Sequence, residues 1–390
     1  MIYKEGNNVL FKEIISLQID NRGRNPQNYM EESIHPVIDN YLIKNNKFPN
    51  LSSVKRFLSE EDYNNFLRGY LKKNDVLITL VGNGIGNVTM VPDEKCVIVQ
   101  NTLGLRCNSK MINEYLYYFL LYKQESIKQF NRGTSQPSIR KTDLFNMEIP
   151  LPEISTQNKI ASILSSLDDK IENNNAIIAN LEEQAKLIFE KKYMNIDLSK
   201  ENKLENQKFG ELFEFVKGRK PKNISDQPKE DYIPYLVKKY IDSNEVTFAP
   251  RNDGVLIEDL DVFMLMDGAN SGNIYYGYKG IIGSTFSWLK TDRDMVNEYI
   301  YWYLLINQDH VRNQNTGSAI PHANKEYINN LEVMLPINIE TDKNLKALKN
   351  MRLYSINLRR ESNRLSETRN TLLPKLMSGD IQVDEVIEMK

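Results

Sequence analysis

The chain has 390 residues, 41% hydrophobic and 26% charged, with a net charge of −2. Such a composition excludes a disordered polymer and leaves room for two domains of about 100–200 residues each. There is no apolar run of about 18 residues, the first residues lack the basic-then-apolar plan of a secretion signal, and the two cysteines, Cys96 and Cys107, form no CxxC or metal-ligand spacing. The expectation is a cytoplasmic protein with two buried thiols and neither a disulfide scaffold nor a zinc site.

In chain order, the first basic cluster is Arg22 and Arg24, in the loop Gly23-Arg24-Asn25-Pro26. An apolar run headed by Asp75 then meets the turn Gly82-Asn83-Gly84-Ile85-Gly86-Asn87, and apolar residues resume at Cys96 to Val99. This reads as strand, turn, strand. The glycines are no nucleotide cradle, because a phosphate needs the free N–H groups of a helix N-terminus, and Val88-Thr89-Met90-Val91 reads as a strand. A helix is expected from Tyr115 to Tyr122, then a polar loop from Asn131 to Lys141, then Leu151-Pro152. Near Ser155 or Thr156, either of which can cap a first turn, a long helix begins. Its apolar positions step by four and three through Ile160, Leu164, Leu167, Ile171, Asn174, Ile178, Leu181, Ala185 and Ile188, a heptad seam of about four repeats.

The second half repeats the first. Residues 113–152 realign without a gap on 297–336, a constant offset of 184. Asn113-Glu114-Tyr115 returns as Asn297-Glu298-Tyr299, Gly133 and Pro137 as Gly317 and Pro321, and Leu151-Pro152 as Leu335-Pro336. The strand and turn from Asp75 to Asn87 return as Asp261 to Asn273 at offset 186, and Gly23-Arg24 returns as Gly218-Arg219 beside Lys217 and Lys220. A helix from Tyr299 to Ile306 and a loop from Asn315 to Lys325 follow. The second long helix is in phase with the first, with Leu348, Met351, Leu358, Leu365 and Leu372 in its seam, interrupted by Ser355, Ser362 and Arg369. The period is too long for a solenoid unit, so each copy carries its own core.

Two one-sided helices, each following one copy of a domain, bury their seams most simply against each other. Asn174 then needs a polar partner, for which Ser355 and Ser362 are placed. The expected fold class is α+β: two tandem-duplicated mixed α/β domains separated by two long helices that form an antiparallel coiled coil. The boundaries are 1–153 for the first domain, 154–198 for the central helix, 199–337 for the second domain, 338–380 for the C-terminal helix and 381–390 for a tail.

The net charge hides its distribution, which is +3 over residues 1–150, −2 over 151–200, −5 over 201–336 and +2 over 337–390. The cations cluster in the recurring Gly, Asn and Ser-rich loops, among side chains suited to nucleic acid. Arg bridges guanine, Asn or Gln bridges adenine, and Lys or Ser holds phosphate. The candidate DNA-binding residues are Arg22, Arg24, Asn83, Asn87, Arg132, Thr134, Ser135, Gln136, Ser138, Arg140 and Lys141 in the first copy. In the second they are Lys217, Arg219, Lys220, Asn270, Asn273, Arg312, Asn315, Thr316, Ser318, His322, Asn324 and Lys325. Gly133/Gly317, Pro137/Pro321 and Lys141/Lys325 hold a shared frame while the tips differ, as two readers of different sequences require. The three histidines, His35, His310 and His322, form no ligand pair, and no Walker lysine, Gly-x-Ser-x-Gly elbow or base-gripping Asn/Asp-Pro-Pro-aromatic loop is present. A non-catalytic chain is expected.

This layout resembles the specificity subunit of Type I restriction-modification systems over nearly the whole length. The resemblance rests on two domains, each ending in a Leu-Pro element (Ile149-Pro150-Leu151-Pro152-Glu153; Val333-Met334-Leu335-Pro336) followed by a long helix, the first opening Thr156-Gln157-Asn158-Lys159-Ile160. It also rests on the closing Leu372-Leu373-Pro374-Lys375-Leu376-Met377-Ser378-Gly379-Asp380-Ile381. The resemblance implies that each domain reads one half of a bipartite, asymmetric double-stranded DNA site. It implies that the helices set the half-site spacing and dock two methyltransferase subunits, with restriction/translocase subunits joining the complex. S-adenosylmethionine, ATP and Mg then belong to those partners, and this chain binds no cofactor. A helix from Thr156 to Tyr193 would span on the order of 55 Å at about 1.5 Å per residue, more than one duplex turn of about 34–36 Å. The alternative is a coiled-coil scaffold that binds no DNA.

Overall fold

The computed structural model describes residues 8–24, 26, 28–133, 135–194, 204–243, 245–317 and 320–383. The chain forms two compact units, one from Met1–Asn173 with Ser362–Lys390 and the other from Asn174–Glu361. Among the described residues no helix is long and apolar enough to cross a membrane.

The first unit is built on a four-stranded antiparallel sheet in the order Ile15–Ile19, Thr102–Cys107, Val76–Thr79, Val88–Met90. Val76, Leu77 and Ile78 are fully buried, so this strand is apolar on both faces and not alternating. The helix Asn113–Tyr122 packs its Tyr115, Leu116, Phe119 and Leu120 into the same core as Val76, Ile78, Leu103 and Leu105. That core continues into Ile160, Ile163 and Leu164 of the central helix, Ile154–Phe189, and Leu373, Leu376 and Met377 of the C-terminal helix, Lys343–Ser378. The domain and its stretch of helix pair are therefore one hydrophobic body.

The second unit repeats the sheet as Glu214–Lys217, Phe286–Lys290, Phe263–Leu265, Ile274–Tyr275. It adds a second four-stranded sheet, Phe248–Pro250, Tyr232–Leu236, Gly280–Ile282, Val255–Ile257, in which Tyr235 pairs with Ile281 in parallel. The equivalent run in the first unit, Cys96 to Val99, does not form the expected strand. It keeps one parallel bridge, Val37 to Val97, because the strand that would extend it is replaced by the short hairpin His35–Pro36 with Phe57–Leu58.

Within each unit the two helix segments run antiparallel. In the first, Asp168 meets Arg369 at 2.5 Å; in the second, Asn174 meets Glu361 at 2.9 Å and Tyr193 meets Asp342 at 2.6 Å. The seam expected at Ile160, Leu164, Asn174, Ile178, Leu348 and Leu358 is buried, while Leu167, Ile171, Leu181, Met351, Leu365 and Leu372 are half-buried. Asp168, Phe189, Arg352, Ile356 and Leu373 are buried beside it. Each helix packs on its domain as well as on its partner, so the buried face is wider than a two-stranded seam. Local detail adds to the periodic pattern. The central helix begins at Ile154, which puts Ser155 and Thr156 inside its first turn and not at its cap. It ends in a π turn, Glu190–Met194, that carries Tyr193 to Asp342. Asn174 Nδ2 donates to the carboxylate of Glu361, and the Ser355 hydroxyl donates to its own helix at Met351 O.

Candidate nucleic-acid interface

Both units hold their polar loops with the same main-chain hydrogen bonds. In the first, Leu80 N–H donates to the Asn101 carbonyl (2.7 Å), Ile139 N–H to that of Leu80 (2.8 Å) and Gly82 N–H to that of Pro137 (2.9 Å). In the second, Met266 N–H donates to Thr285 (2.7 Å), Ala323 N–H to Met266 (2.9 Å) and Gly268 N–H to Pro321 (2.9 Å). The Gly-Asn turn and the Gly-Pro loop, far apart in sequence, thus lie side by side in each unit. Gly82 and Gly268 sit at φ +99° and +106°, where a side chain is strained. A Cβ on Gly133 would fall 1.7 Å from Gln136 O, and one on Gly317 2.4 Å from Ile320 O.

In the first unit the basic side chains are largely paired. Arg22 forks onto Asp20 with Nε and Nη2 both at 2.8 Å, and Lys141 Nζ reaches the same carboxylate at 2.7 Å. These donors, Arg22 foremost, hold the Asp20 carboxyl far below the usual aspartate range, and Asp20 in turn raises Arg22. Arg132 forks onto Asp143 at 2.9 and 3.0 Å. Arg24 lies over the Phe66 ring at 5.7 Å. Asn83, Ser135, Gln136 and Arg140 are exposed, and Ser138 is half-buried with its N–H donating to Asn131 Oδ1. Asn87 is a correction: its Nδ2 donates to Ile43 O and its Oδ1 accepts from Gln124, so it braces the turn from inside. Thr134 lies outside the described residues.

In the second unit Lys217, Arg219 and Lys220 are exposed, and Lys325 rests over the Phe215 ring at 5.0 Å. His322 Nδ1 meets Asp267 Oδ1 at 2.8 Å, tying the Pro321 loop to the Gly268 turn. Thr316 and His322 exchange main-chain bonds and are both exposed. Arg312, Asn315, Gly317 and Pro321 line an open polar cleft of about 620 Å³ with Ala269, Asp309 and Asn313. Two candidates also brace their own loops. Asn315 Nδ2 donates to Ser271 O and Oγ, and Asn324 caps the helix Lys325–Asn330 through Tyr327 N–H. Asn270 and Asn273 are half-buried in the turn, where Asn273 N–H donates to Asn270 O. Ser318 lies outside the described residues.

Sequence reasoning missed the loop organisers. Asn131 Oδ1 accepts from both Gly133 N–H and Ser138 N–H, and Gln124 Nε2 donates to Gly86 O. Both residues are identical at offset 184, as Asn315 and Gln308, a signal that was available. The acids Asp20, Asp143 and Asp267 carry no such mark. Among the described residues no group of three or more His, Cys, Asp and Glu side chains is placed to hold a metal. Burial pushes the thiols of Cys96 and Cys107 up to about 11 and about 12, so both are neutral near pH 7. The arrangement presents amides, hydroxyls and cations on loops held by main-chain hydrogen bonds, which is equipment for recognition.

Comparison with known proteins agrees with this geometry. The family described as Type I restriction modification DNA specificity domain matches residues 12–183 and 201–365, one match to each copy. The chain is 30% identical over 132 residues to the Type I restriction enzyme MjaVIII specificity subunit of Methanocaldococcus jannaschii, covering 33% of this chain and 31% of that protein, so this match spans about a third of the relative's length. It is 25% identical over 307 residues to the Type I restriction enzyme MjaIX specificity subunit of the same organism, covering 71% of each. Among solved structures, the S subunit of a Type-I restriction-modification system from M. genitalium shares the fold, with a TM-score of 0.63 at 18% identity over 96% of this chain and 97% of that one.

Proposed function

The chain belongs to the Type I restriction-modification DNA specificity family, and on that premise we propose that it is a non-catalytic recognition subunit whose two domains each read one half of a bipartite, asymmetric DNA site. The observation that carries this reading is the doubled loop frame, in which the same main-chain bonds, Gly82 to Pro137 and Gly268 to Pro321, hold loops with different side chains: Arg132 and Ser138 in the first, Thr316 and His322 at the equivalent positions of the second. A shared frame places the tips alike, and different tips hydrogen-bond different base edges. The helix pair sets the spacing between the half-sites and docks two methyltransferase subunits, with restriction/translocase subunits completing the cytoplasmic complex. S-adenosylmethionine, ATP and Mg are the business of those subunits. Because the methylated base leaves the stack to be modified, this chain holds the flanking duplex through its backbone.

The test is methylome sequencing of cells that express the chain with its methyltransferase. Arg140→Ala is expected to alter one half of the methylated motif and Thr316→Ala the other. A coiled-coil scaffold that binds no DNA predicts that neither variant changes the motif, and that result would overturn the proposal.

A further inference from the structure

Sheet register identifies a charge reversal that the motifs conceal. Ile19 stands opposite Gly104 and Val216 opposite Trp288, and Gly104 and Trp288 are equivalent at the offset of 184 that also relates Asn101 to Thr285. Asp20 therefore corresponds to Lys217, and by the same count Arg22 corresponds to Arg219, two residues away from the alignment that Gly23-Arg24 and Gly218-Arg219 suggest. Lys141 and Lys325 are equivalent by the 184 offset. The first unit's trio, Asp20, Arg22 and Lys141, is a closed ion cluster of net charge +1. The second unit's trio, Lys217, Arg219 and Lys325, carries +3 and has no carboxylate partner among the described residues; Lys325 is backed by an aromatic face.

We propose that the two recognition domains divide the labour of binding: the second anchors the duplex through phosphate contacts by Lys217, Arg219 and Lys325, whereas in the first the equivalent cations are held by Asp20, so that domain contributes little to phosphate anchorage. This inference rests on the DNA-reading function proposed above. A cation already bonded to a carboxylate has to give up that bond before it can displace counterions from DNA, and the carboxylate left behind repels the phosphate. A cation without a carboxylate partner has no ion pair to give up and leaves no carboxylate behind. The ligand of this surface is the sugar-phosphate backbone of duplex DNA, independent of sequence.

The experiment measures binding of the full-length chain to fluorescent duplex DNA of arbitrary sequence, titrating salt between about 50 and 200 mM. Lys325→Gln and Lys217→Gln are each expected to flatten the slope of log K against log salt by about 0.9, the value for one lost phosphate contact. Lys141→Gln is expected to flatten it by less than half as much. Asp20→Asn is expected to tighten binding and steepen the slope, a gain that a misfolded variant does not produce. Equal flattening by Lys141→Gln and Lys325→Gln, or no gain from Asp20→Asn, would overturn the division while leaving DNA reading intact. A wild-type chain that binds no duplex at all overturns the proposed function, and this inference with it.

Discussion

The junctions between domain and helix pair use the same three kinds of group in the two units but with opposite polarity. In the first unit the carboxylate is on the long helix: Asp168, buried, accepts from Tyr118 Oη at 2.7 Å and from Arg369 at 2.5 Å. In the second, the equivalent helix position is the buried Arg352, and the carboxylate is Glu298 of the domain, which accepts from Trp302 Nε1 at 2.6 Å and from Arg352 Nη2 at 2.7 Å. Tyr118 and Trp302 are equivalents, as are Glu114 and Glu298, yet the Glu114 side chain is 40% exposed near Lys47 and that of Glu298 is fully buried. The comparison teaches that a duplicated residue does not keep its duty; the charge that descends on it from a distant element decides. It also makes the junctions non-interchangeable, because setting the second domain on the first unit's helices would bring Glu298 against Asp168.

The most severe way to break the comparison is Arg352→Met. It leaves Glu298 buried without its cation, where burial already pushes its carboxyl up, and is expected to cost about 3–5 kcal/mol. The loss should appear as hydrogen exchange in the helix Asp294–Ile306 and spare Asn113–Tyr122, and Glu298→Gln in the same chain should recover much of it. Asp168→Ala is expected to cost about 2–3 kcal/mol, since Tyr118 loses its acceptor while Arg369 can turn toward water; here the exchange pattern is reversed. Asp20→Asn sharpens the contrast through pH. The folded-state carboxyl lies below its ordinary value of 3.8, so its contribution is present above that pH and is lost as the pH falls through the folded value. Urea stabilities of wild type and variant should therefore differ at neutral pH, by under about 1 kcal/mol for so exposed a cluster, and converge below pH 3.8. Lys325→Met, which removes one exposed cation from an aromatic face, is the smallest, at about 0.5 kcal/mol.

Much of the architecture could be read in the sequence because its signals are local or periodic. Heptad steps fixed which face of each helix is buried, and offsets of 186 and 184 residues marked the strand and turn and then the helix and loop of both copies. Partners across the helix pair could not be read this way. Heptad phase gives a face but not the residue opposite: it does not point to Glu361, which accepts from Asn174 Nδ2, nor to the bond that turns the Ser355 hydroxyl back on its own helix. The candidate loops were found as chain segments, but their side chains separate only in three dimensions. Asn87, Asn315 and Asn324 have the composition of base readers and spend their amides on the loop itself. Asp20 and Lys217 became equivalent only through strand register, since Gly-Arg repeats nearby are offset by two residues from the true correspondence.

The bond from Gly82 N–H to the Pro137 carbonyl, and its twin from Gly268 to Pro321, is made wholly by main-chain atoms. A substitution at an exposed tip such as Gln136 therefore changes what is presented without touching this bond. At Ser135 and Gln136, which are exposed, side chains can be exchanged one at a time while each intermediate still folds. New binding preferences are then reachable by single steps along a path of working proteins, and the two tips, fastened separately, can drift independently within one gene.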